Sequence, residues 1–124
     1  MNTDDLRART FQFGIRCIKV AEALPKNRAI AEILARQLMR CGTSVGANYR
    51  AAARARSRAE FLSKLGVVEE ECDETLYWFD VIAELGLMKP PLLTAIQKEA
   101  NELLAITIAS IKTARTNLTS FPKK

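Results

Sequence analysis

The sequence predicts an all-α fold, an antiparallel up-down four-helix bundle, on three observations. Apolar residues recur at the three- and four-residue spacing of a helix along most of the chain. Breaks at Pro25, Ser57 and Gly86–Pro91 divide that pattern into four segments of similar length with short connections. No strand pattern, internal repeat, low-complexity block or long linker interrupts it. The 124 residues suit a single domain over 1–124, long enough to bury a core.

The first helix is expected over about 4–24, capped by Thr3 or Asp4. Leu6, Phe13, Cys17, Val20 and Leu24 share one face, while Phe11, Ile15 and Ile18 lie on another, so the helix is apolar on two sides. Pro25 ends it, having no amide proton and disfavouring helix in the residue before it. Asn27 is the expected N-cap of a second helix over about 27–55. At about 1.5 Å per residue this is roughly 42 Å of rod.

Around the second helix, Leu34, Leu38, Cys41, Val45, Tyr49 and Ala52 fall along one face. Beside it runs a polar row of Gln37, Arg40, Ser44 and Asn48. A separate row of mostly small residues, Ala35, Met39, Gly42, Gly46 and Ala53, lets another backbone approach closely. Two contact faces on one helix point to a central position or to an oligomer.

Ser57-Arg-Ala-Glu60 is a capping box opening a third helix over about 58–86. Its core stripe is expected to be Phe61, Leu65, Val68, Cys72, Leu76, Phe79 and Ala83. Val67, Trp78 and Leu85 cluster on a second face, with Glu71 and Glu74 near them. Gly86 supplies a stop, and Pro90-Pro91 open a fourth helix over about 90–115, with Leu93, Ile96, Ala100, Leu104, Thr107 and Ile111 in register. Residues 117–124 read as a flexible tail.

Charge is unevenly placed. Residues 26–64 hold nine Lys/Arg and two acids, net +7, whereas residues 65–88 hold seven acids and no base, net −7. Neighbouring helices or subunits can pair these charges. Alternatively Arg50, Arg54, Arg56 and Arg58, gathered at one end of the bundle, meet phosphate through bidentate, salt-sensitive contacts. The overall charge of +5 favours a nucleic-acid partner mildly. Arg40, Ser44 and Asn48 are expected to join Glu70 and Glu74 of the third helix in a structural polar network that sets helix register.

Histidine is absent, which excludes Ser-His-Asp and Cys-His catalysis and the Glu-x-x-His pairs of a di-iron bundle. The carboxylates at 69–74 therefore read as a solvated or salt-bridged face, and no cofactor or metal is expected. Cys17, Cys41 and Cys72 have no metal or redox spacing and read as buried, reduced thiols of a cytoplasmic protein. Apolar residues make up 48% of the chain, yet no run approaches the roughly 18 residues of a membrane span, so no membrane partner is expected. The acidic start, Met1-Asn-Thr-Asp-Asp5, is unlike a secretion signal.

The segment Gln37-Leu-Met-Arg40-Cys-Gly-Thr-Ser44-Val-Gly-Ala-Asn48-Tyr-Arg50 is followed by Ala55-Arg-Ser57, Glu60-Phe61, Lys64-Leu65 and Glu70-Glu-Cys-Asp-Glu74-Thr-Leu-Tyr77-Trp78. Together these strongly resemble the bacterial four-helix bundle proteins known as 23S ribosomal RNA intervening-sequence proteins, over about 11–115. The resemblance implies an up-down bundle without catalytic activity that assembles as a ring-like homopentamer. It extends distantly to the accessory variability determinants of diversity-generating retroelements, which bind nucleic acid and a reverse transcriptase through basic surfaces. Ala35, Met39, Gly42, Gly46, Val67 and Trp78 are the candidate contacts with neighbouring subunits.

Two functional readings follow. In one, the protein is a non-enzymatic oligomer that binds RNA or DNA through Arg50, Arg54, Arg56 and Arg58. In the other it is an oligomeric scaffold for a protein partner, with those arginines used in subunit contacts.

Overall fold

Helices α1 (Thr3–Ala23), α2 (Ala29–Ala53), α3 (Arg58–Glu84) and α4 (Pro90–Thr116) make up the computed structural model. It describes the backbone of residues 3–116 and side chains from Asp4 onward. Each boundary lies within two residues of its expected place. The expected tail at 117–124 lies outside the described residues, as does the Thr3 side chain. Asp4 is not a cap; it stands with Asp5 in the first turn of α1, where carboxylates favour the helix dipole.

The helix ends show why each segment stops. Asn27 does not cap α2, because the extended Arg28 (φ −123°, ψ 126°) stands between it and the first helical residue. No side chain caps that end. Ser57 does cap α3: its Oγ accepts from the Glu60 amide at 3.0 Å. The returning bond of the box is displaced by one residue, with Glu60 Oε2 accepting from the Arg56 amide at 2.7 Å. At the other end of α3, Gly86 takes φ 65°, which glycine adopts without a Cβ clash. The Leu87 amide then reaches the Ile82 carbonyl and the Gly86 amide that of Ala83, a Schellman closure that tucks Leu87 into the core.

The helices pack in ring order, α1 on α2, α2 on α3 and α3 on α4, with α4 and α1 meeting least. Their sense is antiparallel. A Cβ built on Gly46 would meet Thr10, one on Gly14 would meet Thr43, and one on Gly42 would meet Cys17, so α1 ascends as α2 descends. Arg9 bridges the loose α1–α4 seam, its Nη2 lying 2.6 Å from Glu99 and 3.2 Å from Glu102.

One apolar core fills the centre. All six residues of the expected α2 face, Leu34 through Ala52, are buried; full burial of a leucine or valine is worth about 1.5–3 kcal/mol. Elsewhere the buried residues are offset by one position from parts of the expected stripes. Ala21 is buried while Val20 is only half-buried, and Leu103 is buried while Leu104 is half-buried. In α3, Thr75 and Ile82 are buried, Leu76 is half-buried and Ala83 exposed. Thr75 is stable there because its hydroxyl donates to the Glu71 carbonyl at 2.7 Å. Thr10 and Thr107 are buried in the same way, bonding back to Leu6 and Leu103.

Among the glycines the tightest approach is at Gly42. A Cβ there would lie 2.6 Å from both Cβ and Sγ of Cys17, whereas one on Gly66 would meet nothing within 4 Å. Gly42→Ala should therefore lose about 1–2 kcal/mol, overpacking outweighing better helix propensity. Gly66→Ala should gain about 0.5–1 kcal/mol from propensity alone. Opposite shifts of the urea midpoint are expected for the two variants.

Candidate functional site

Three features lie on and beside α2. The first joins α2 to α3. Arg40 donates from Nη1 to Glu71 Oε2 at 3.2 Å and from Nη2 to Glu74 Oε2. Its Nε and Nη2 also reach Gln37 Oε1 at 3.3 and 3.2 Å. Glu74 Oε2 further accepts from Trp78 Nε1 at 3.1 Å. Glu74 is thus shared by an arginine and an indole.

This differs from the expected network in two ways. Glu70 is exposed and takes no part; Glu71, the next residue around α3, faces Arg40 instead. Ser44 and Asn48 form a separate half-buried pair, Asn48 Nδ2 donating to Ser44 Oγ at 2.8 Å and to the Ser44 carbonyl at 2.9 Å. The helical rows in the sequence showed that these residues share a side of α2. They could not show which carboxylate of α3 would face it.

The second feature is the α2–α3 turn. Arg50, Arg54 and Arg56 are exposed, and none makes an ion pair among the described residues. Arg58 is different, because it is already engaged within the chain. Its Nε donates to the Ala114 carbonyl at 2.6 Å, and its Nη2 to that of Arg115. The guanidinium caps carbonyls left unpaired at the C-terminal end of α4, where a cation is also favoured by the helix dipole. The sequence placed Arg58 beside the other arginines but gave no sign of the distant α4 end.

The third feature was legible only as the second apolar side of α1. A groove of about 520 Å³ lies along α1 and α2, lined by Arg7, Phe11, Gly14, Ile15, Gly46 and Arg50 among others. Phe11 is 62% exposed there. Arg7 and Arg50 stand at the same end, because Thr10 pairs with Gly46 and Gly14 with Thr43.

The candidate subunit contacts divide among these features. Gly42 is buried against Cys17 of the same chain and cannot face a neighbour. The close approach expected of the small row is made by α1 instead. Gly46 remains in the groove floor. Ala35, Met39 and Trp78 are partly buried against the chain's own core, and Val67 is half-buried. Tyr77 is exposed and meets Trp78 edge-on, with ring centroids 5.0 Å apart.

All three cysteines are free and buried. Burial raises each thiol pKa, Cys72 to about 12 and Cys17 further still, with Asp73 and Cys41 adding to the effect at Cys72. Such thiols stay protonated and unreactive. No helix of the described residues is long and apolar enough to cross a membrane.

Comparison with known proteins bears on both family and fold. The sequence profile of the 23S rRNA-intervening sequence protein family matches residues 5–109. A crystal structure from Bacteroides thetaiotaomicron, described as a protein of unknown function from the S23 ribosomal protein family, superposes with a TM-score of 0.83 at 29% identity. That match covers 91% of this chain and 100% of the other. No protein of the curated set matches.

The raised thiol pKa values set the alkaline behaviour. Above pH 9 the unfolded chain loses thiol protons that the folded chain keeps, so thiol-linked stability is intact below pH 9 and is lost as pH rises towards about 12. Comparing wild type with Cys72→Ala across this range, the variant should show the shallower decline in denaturation midpoint.

Proposed function

Because the chain belongs to the 23S rRNA-intervening sequence protein family, we propose that it is a non-enzymatic, oligomeric bundle that associates with RNA through the α2–α3 turn. The observation carrying this reading is the exposure of Arg50, Arg54 and Arg56 within seven residues, with no acid paired to them among the described residues. The turn is held in shape by Ser57 and Glu60, so the two outer arginines, Arg54 and Arg56, are presented on an ordered support. Guanidinium groups suit phosphate oxygens through bidentate, charge-assisted bonds. Arg50 stands between this cluster and the groove, and Arg58 serves the end of α4.

A non-enzymatic role is supported by the lack of histidine and by thiols held protonated in the core. Three buried free cysteines also suit the reducing cytoplasm. Assembly into a ring, with five copies as the family resemblance implies, would bring several arginine turns together and strengthen binding through effective concentration. This reading needs no cofactor or metal.

A second reading is favoured by Arg50 lining an apolar groove. In it the oligomer is a scaffold for a protein partner, and the basic surface serves subunit contacts.

RNA affinity measured over a salt series separates the two. Wild type should bind, and Arg54→Ala/Arg56→Ala should bind more weakly with its oligomeric mass unchanged. Its log K against log salt slope should be shallower by about 1.4, at about 0.7 for each single-strand phosphate contact removed. If nuclease-treated wild type shows no RNA affinity near physiological salt, the scaffold reading replaces this one. Duplex DNA binding as tight as RNA binding would make the protein a general nucleic-acid binder.

A further inference from the structure

Two exposed surfaces on different helices complement each other and have no match within the chain. One is the α1–α2 groove. Its floor is backbone: a Cβ on Gly46 would meet the Thr10 carbonyl oxygen at 3.0 Å, and one on Gly14 would meet Thr43 Cα at 3.3 Å. Phe11 stands largely in solvent beside that floor, and Arg7 and Arg50 border one end.

The other surface is the outer row of α3. Glu70, Asp73, Tyr77, Asp80 and Glu84 follow one another at three- and four-residue spacing, and all five are exposed. Tyr77 is 59% exposed at the centre of the row. The four carboxylates make no ion pair among the described residues, and residues 65–88 contain no lysine or arginine. Thus an aromatic knob flanked by acids stands on one face, and an apolar groove bordered by arginines on another.

We infer that the α1–α2 groove of one chain receives the Tyr77 face of α3 from a second copy, with Asp73 or Asp80 meeting Arg7 and Arg50. This rests on the oligomeric part of the proposed function and names its two surfaces. Charge selects this pairing over the symmetric ones. Groove against groove would bring arginines together, and α3 against α3 would bring carboxylates together; both are repulsive. A contact between two different faces is heterologous, and it either closes into a ring or grows into a filament. Packing of Tyr77 against Phe11 would also cover the largest aromatic exposures of both faces.

Sedimentation analysis of native mass over a concentration series tests this with four proteins: wild type, Arg7→Glu/Arg50→Glu, Asp73→Lys/Asp80→Lys, and the variant carrying all four changes. Wild type should assemble. Each double variant should need at least about tenfold more protein to do so, and the fourfold variant should recover most of that loss by restoring opposite charges. A variant that had merely failed to fold would not be rescued by substitutions on another helix, so failure of the fourfold variant to recover overturns the inference. An assembled wild type whose mass is unmoved by either double change also overturns it, while leaving the oligomeric reading intact. A wild type that is monomeric throughout overturns both. If Arg7→Glu/Arg50→Glu abolishes RNA binding at unchanged mass, the groove belongs to RNA and the inference fails.

Discussion

The approach of α1 to α2 is the constraint on which the other features depend. Gly42 leaves room only for the Cys17 side chain, and Gly46 and Gly14 bring each backbone close to the partner helix. A side chain larger than hydrogen at Gly42 would push α1 outward, because an interior packed to this density absorbs little added volume. The same approach fixes the register of α1. With Cys17, Phe13 and Leu6 turned inward, Phe11 must turn outward beside Gly46, and the groove arises from that geometry. The core and the exposed aromatic therefore have one cause.

Electrostatics divides the charges into those satisfied within the chain and those left over. Arg9 ties α1 to α4, Arg40 ties α2 to α3, and Arg58 closes the end of α4. Surface pairs of this kind contribute about 0–1 kcal/mol each, so their value lies more in setting register than in stability. What remains is asymmetric. Among the charges left over, arginines gather at the α2–α3 turn and at one end of the groove, and carboxylates along the outer row of α3. A bundle carrying both signs on separate faces can associate with itself head to tail while presenting arginines to a polyanion.

This distribution separates a satisfied interior from a charged surface. Buried and half-buried polar side chains bond within or between the helices, and the thiols lie in the core where burial keeps them protonated. Among the described residues no buried side-chain nitrogen or oxygen lacks a hydrogen-bond partner. The polar interior of the described residues is structurally satisfied.

The number of helices, their limits to within two residues, the α2 core face and the Ser57 cap were all legible in the sequence. Each depends on local periodicity or on a residue with a fixed backbone preference, such as Pro25 and Gly86. The family could be read too, from motifs running through α2 and α3. Partner choice could not. Glu71 rather than Glu70 meets Arg40, Thr75 is buried while Leu76 is only half-buried, and Gly42 serves α1 instead of a neighbour. Arg58 likewise turns to α4, 56 residues away in the chain. Periodicity assigns a residue to a side of its helix, but an error of one position rotates a contact by about 100°. Which carboxylate, which carbonyl and which backbone lies opposite is decided only when the helices pack.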